Sequence, residues 1–156
     1  MQDILKKVHQ LLIKKKKTVA TAESCTGGLL SYSLTKIPGS SQYFLLGVCA
    51  YSNKAKIDIL KIPSLIIQEK GAVSKETAKL MAHSVRNLAK SDFGIGITGI
   101  AGPTGASPSK PVGTVFIAID KKNKTLCKKF IFTGSRNHIR RSATLKALLL
   151  LKRMLS

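Results

Sequence analysis

The chain has 156 residues, 44% of them hydrophobic, and its 27 Lys and Arg against 7 Asp and Glu give a formal charge of +20. That length and apolar content suit one globular domain over residues 1–156 and exclude a disordered chain despite the charge. The longest mostly apolar run, Tyr43 to Tyr51, covers nine residues, where a membrane-spanning helix needs about 20. The N-terminus carries its charges after its first apolar residues and has no small-residue cleavage site, so it does not read as a signal peptide.

Taken in chain order, Ile4, Leu5, Val8, Leu11 and Leu12 recur at helical spacing and predict a first helix, closed by Lys14 to Lys17 at the negative end of its dipole. Thr18 to Thr21 reads as a short strand, and residues 25–36 as a helix entered through Thr26-Gly27-Gly28. Pro38 to Ser41 is a turn, and residues 43–51 are expected to form a buried strand. Ser52 or Asn53 caps a short helix over residues 54–60. Ser74 and Thr77 open a clear helix reaching Lys90, with Ala78, Met81, Ala82, Val85 and Leu88 on one face. Phe93 to Thr98 is a strand running into a glycine-rich segment. Val112–Asp120 and Leu126–Phe132 form a hairpin around Lys121–Lys124, and Ser135 caps a last long helix. Helices alternating with strands predict an α/β fold, a three-layer α/β/α sandwich whose hairpin makes the β-sheet mixed.

Cys25, Cys49 and Cys127 form no CxxC pair, and His9, His83 and His138 stand at no ligand spacing from one another. A disulfide scaffold and a zinc ribbon are therefore not expected, and the chain reads as a reduced, cytoplasmic protein without metal or cofactor. The charge invites a nucleic-acid reading. Its distribution weakens that reading: 12 basic residues fall in residues 1–78 and 15 in residues 79–156, and only 5 are Arg against 22 Lys. Arginine is the residue suited to bidentate base and phosphate contacts. A lysine-rich solvated surface, binding polyanions only nonspecifically, is expected.

Two segments stand out. Thr21 to Gly28 follows a strand and opens a helix, so it presents free backbone N–H groups beside the Ser24 hydroxyl, and Gly27 and Gly28 allow close approach. Gly96 to Gly105, closing at Lys110-Pro111-Val112-Gly113-Thr114, matches neither a P-loop nor GxGxxG and reads as a ligand-covering loop. Ser135 to Arg141 opens the last helix, with Arg136 and Arg140 on one face and Arg141 beside them, a candidate phosphate site.

Ala22-Glu23-Ser24-Cys25-Thr26-Gly27-Gly28, Tyr51-Ser52-Asn53-Lys54-Ala55-Lys56, Gly71-Ala72-Val73-Ser74 and Thr98-Gly99-Ile100-Ala101-Gly102-Pro103 with Lys110 to Thr114 occur in order across nearly the whole chain. In these motifs it resembles the CinA C-terminal domain family, in its stand-alone form. The resemblance implies hydrolysis of the carboxamide of nicotinamide mononucleotide to the acid, with release of ammonia, in a protein expected to be a homo-oligomer. It also implies Ser24 as nucleophile, Lys56 as general base and Tyr51 beside them, since no histidine lies in the motifs. Cys25 is the rival nucleophile. Glu23, Thr26, Gly27, Gly28, Thr98, Gly99, Gly102, Arg140 and Arg141 are the candidate substrate-binding residues; Glu23 is equally suited to a buried bond to a backbone N–H. The loop Gly105 to Lys110 departs from the usual pattern, lacking a glycine and an acidic residue. The alternative reading is a non-catalytic module of the same fold that binds nucleic acid or an acidic partner.

Overall fold

A computed structural model describes residues 1–156. Helix α1 (Gln2–Lys15) buries Leu5, Val8 and Leu12 and ends at Lys16 in the left-handed conformation. Strand β1 (Val19–Glu23) is buried along its whole length. Then come α2 (Leu29–Thr35), β2 (Phe44–Cys49), α3 (Asn53–Asp58), α4 (Ser64–Lys70), α5 (Lys75–Ala89), β3 (Phe93–Gly99), β4 (Thr114–Lys121), β5 (Lys124–Ile131) and α6 (Arg136–Leu155). The sheet order is β2-β1-β3-β4-β5. β1 runs parallel to β2 and β3, while β3–β4 and β4–β5 are antiparallel. This is the mixed sheet and the α/β/α layering that the sequence predicts.

Alternation along the strands sorts the two faces. Val19, Phe93, Ile95, Ile97, Val115, Ile117 and Ile119 face α1, α2 and α6 in the larger core. Ala20 and Ala22 face Leu60, Ile62, Ile67, Met81 and Val85 in the second layer. Helix α5 lies unusually close to the sheet: a Cβ at Gly94 would sit 2.0 Å from the Ala82 carbonyl, and one at Gly96 would sit 2.3 Å from that of Ala78. Gly96 thus belongs to a packed strand rather than to the ligand-covering loop.

Four further expectations are corrected. The run 43–51 is not a buried strand: β2 is the sheet edge, and its residues alternate between half-buried and exposed. Its apolar composition alone could not reveal that the strand lies at the sheet edge. Helix α2 starts at Leu29, not at residue 25, because Gly27 (φ 59°) and Gly28 (φ 91°) take left-handed conformations and Cys25 to Gly28 form a turn. Leu88 is 54% exposed, and Thr77 is buried on α5 instead. Helix α4 is additional; it has seven residues and buries only Ile67, too little to set up a periodicity. The predicted caps are present: Ser52, Ser74 and Ser135 accept from the backbone amides of Ala55, Thr77 and His138. No helix is long and apolar enough to cross a membrane.

The fold also makes a crevice. The chain leaves the carboxyl ends of β1 and β3 side by side, then turns in one case toward α2 and in the other toward β4. Divergence of neighbouring parallel strands opens space beyond their carboxyl ends.

Candidate active site

Ser24 is the first residue past β1, and its N–H donates to the Ile97 carbonyl of β3 at 2.9 Å. This bond fixes the serine at the mouth of the crevice. Behind it, the Glu23 carboxylate is fully buried. It accepts from the backbone amides of Gly28 (3.1 Å), Leu30 (3.0 Å) and Ser31 (2.8 Å) and from the Ser31 hydroxyl (2.6 Å). All four of these bonds go to the start of α2, so in this structure Glu23 caps that helix.

Lys56 comes from α3, whose Ser52 cap starts the helix after β2. Its side chain is 2% exposed. Nζ donates to Ser24 Oγ at 3.1 Å and to the Tyr51 carbonyl at 3.1 Å. No carboxylate pairs with it; the four ion pairs of the molecule lie elsewhere. Burial without a counter-charge lowers its pKa from 10.5. The neutral amine can then accept the Ser24 proton along the same line.

Cys25 lies beside the pair, but burial pushes its thiol up to about 12. At neutral pH it is a thiol, not a thiolate, and a poor nucleophile. The amides of Cys25 and Thr26 donate to no other backbone carbonyl. They are the unpaired donors nearest the Ser24 hydroxyl in sequence.

A cavity of about 340 Å³ opens over Ser24 and Lys56. Its other walls are Cys25, Tyr51, Asn53, Ala72, Val73, Thr98, Gly99, Ile100, Ala101, Gly102, Thr104, Gly105 and Arg136. The segment 98–105 thus forms one wall of the cavity. The Tyr51 phenol is not at the lysine; it is 57% exposed and accepts from Arg136 Nη2 at 2.7 Å. Only the Tyr51 backbone carbonyl reaches Lys56. Thr98 Oγ1 is committed to the Ala72 carbonyl at 2.7 Å, so it ties two walls together. The Gly102 carbonyl accepts from Arg136 Nη1 at 2.8 Å.

Thr26, Gly27 and Gly28 lie outside the cavity wall, within the turn. Arg140 is outside it too: its Nη2 and Nε donate to the Thr26 carbonyl at 2.9 and 3.3 Å. Arg141 points away. It lines a separate cavity of about 420 Å³ between α1, α2 and α6, with Tyr32 and Lys36. That cavity is larger, but its one serine, Ser33, donates to the Leu29 carbonyl rather than meeting a lysine. Of the three arginines opening α6, Arg136 is the one in the Ser24 cavity. Helical spacing put Arg136 and Arg140 on one face, but a face does not say which turn of the helix stands over the crevice.

Residues 1–155 match the CinA C-terminal domain. The chain belongs to this family. A CinA-like protein of Syntrophus aciditrophicus is 48% identical over 150 residues, which make up 96% of this chain and 36% of that protein. The chain thus spans about a third of the length of the curated relatives it matches. A competence/damage-inducible protein from Agrobacterium tumefaciens superposes with a TM-score of 0.96 at 35% identity, covering 99% of this chain and 94% of that one. The competence damage-inducible protein A of Klebsiella pneumoniae gives 0.95 at 30% identity, over 98% and 95%.

Proposed function

We propose that the protein is an amidohydrolase that converts nicotinamide mononucleotide to nicotinate mononucleotide and ammonia. The observation that carries this is the Lys56 amine at 3.1 Å from the Ser24 hydroxyl, buried and without a carboxylate partner. Such an arrangement is a nucleophile with its own base. Neutral Lys56 takes the Ser24 proton as Oγ attacks the carboxamide carbon. The oxyanion meets the unpaired amides of Cys25 and Thr26. The Lys56 ammonium then protonates the departing nitrogen, ammonia leaves, and an ester to Ser24 remains. Water, deprotonated by the same amine, hydrolyses that ester and restores the hydroxyl.

The cavity supports a ligand of mononucleotide size. Arg136, in the cavity wall and donating to the Gly102 carbonyl and the Tyr51 hydroxyl, supplies a guanidinium for the phosphate. Incubating the protein with nicotinamide mononucleotide and reading ammonia together with the acid product tests the assignment. Stoichiometric ammonia and nicotinate mononucleotide are expected, with much slower release from nicotinamide riboside, which lacks the phosphate. Absence of ammonia from any pyridine carboxamide would overturn the reading.

A further inference from the structure

The turn that carries the nucleophile is anchored at both ends and once in its middle. Ser24 to Gly28 is not helical, and two successive left-handed glycines, Gly27 and Gly28, leave its backbone little intrinsic stiffness. Glu23 secures the far end by taking the amides of Gly28, Leu30 and Ser31. The near end is anchored by the Ser24 N–H on the Ile97 carbonyl; between the two ends the Thr26 carbonyl receives two N–H groups from Arg140, 114 residues later in the chain. The approach is close: a Cβ on Gly27 would lie 3.2 Å from Arg140 Nη2. A side chain at residue 27 would press on the guanidinium, so the glycine and the arginine fit as a pair.

We infer that Arg140 is a positioning residue rather than a phosphate ligand: it grips the Thr26 carbonyl and thereby holds the Ser24 hydroxyl in line with the Lys56 amine. This rests on the amidohydrolase reading only for its effect on turnover; the grip itself is a statement about the turn. A charge-assisted, two-pronged donor to one carbonyl is stronger and more directional than a neutral bond. A nucleophile displaced by about 1 Å can lose on the order of 100-fold in rate.

The test compares wild type with Arg140→Ala, Arg140→Lys and Arg141→Ala. Hydrogen exchange of the Gly27, Gly28 and Leu29 amides reads the turn without reference to activity. It should quicken in Arg140→Ala while exchange in α5 and β3 stays unchanged. For nicotinamide mononucleotide, kcat should fall by about 10-fold or more with KM within about 3-fold of wild type, the signature of lost transition-state geometry. Arg140→Lys, which keeps the charge but loses the two-pronged geometry, should recover part of kcat, and added guanidinium should restore part of it in Arg140→Ala. Arg141→Ala should match wild type in every readout. A rise in KM with kcat retained would instead make Arg140 a phosphate ligand and overturn the inference. Unchanged exchange in Arg140→Ala would overturn it as well. If wild type releases no ammonia while exchange still quickens in Arg140→Ala, the grip stands and the amidohydrolase reading fails.

Discussion

Lys56 differs from the other 21 lysines of the chain in its surroundings. It is buried, its Nζ meets a serine hydroxyl and a carbonyl, and its pKa is lowered from 10.5 by desolvation. A base works only when neutral, so turnover should rise with pH through the depressed lysine pKa and level off before the ordinary value is reached. Lys56→Arg keeps the charge but cannot deprotonate near neutral pH. It should cost at least ~100-fold in kcat and abolish the rising limb, as measured by ammonia release across a pH series. Retention of most activity would move the base elsewhere. Sequence alone singles out Lys56 only through its motif; composition and spacing leave it among many surface lysines. Tyr51 shows the opposite limit. It stands in the same motif, yet the backbone geometry entering α3 sends its phenol to Arg136 rather than to Lys56.

Elements were legible where they carry a long pattern. Helices α1 and α5 each bury a repeated apolar stripe, and their extents follow from it, whereas α6 is announced in the sequence by its Ser135 cap. Helix α4 buries one side chain and gave no signal. The edge position of β2 depends on strand order, which arises from long-range pairing that no local pattern encodes. Gly96 also counted toward the glycine-rich segment because its purpose lies across a layer: with Gly94 it lets α5 settle on the sheet. Gly96→Ala should therefore destabilise the fold by about 3 kcal/mol, since the new methyl meets a helix carbonyl that cannot rotate away. Urea unfolding would measure the loss, and a midpoint equal to wild type would show that α5 can shift without cost. The correct positioning of α5 matters to the site, because its Ser74 cap closes the segment containing the Ala72 and Val73 wall residues.

At the scale of the whole molecule, a formal charge of +20 coexists with a site that uses only a few of the cations. The remainder cover the surface, mostly as lysines without acidic partners. Binding to duplex DNA should accordingly be weak, indifferent to sequence and lost steeply as salt rises, as fluorescence anisotropy on unrelated duplexes would show. Sequence-selective binding at physiological salt would favour the module reading instead. The fold gathers residues from five stretches of the chain around one serine: the ends of β1 and β3, the start of α3, the Ala72-Val73 segment before α5 and the first turn of α6. If that gathering serves amide hydrolysis, removing one oxygen should stop it. The rate of ammonia release from nicotinamide mononucleotide by Ser24→Ala, measured beside wild type, tests this most directly. A fall of at least ~1,000-fold with the unfolding midpoint unchanged is the predicted result, whereas a folded Ser24→Ala variant that releases ammonia at the wild-type rate would contradict the account.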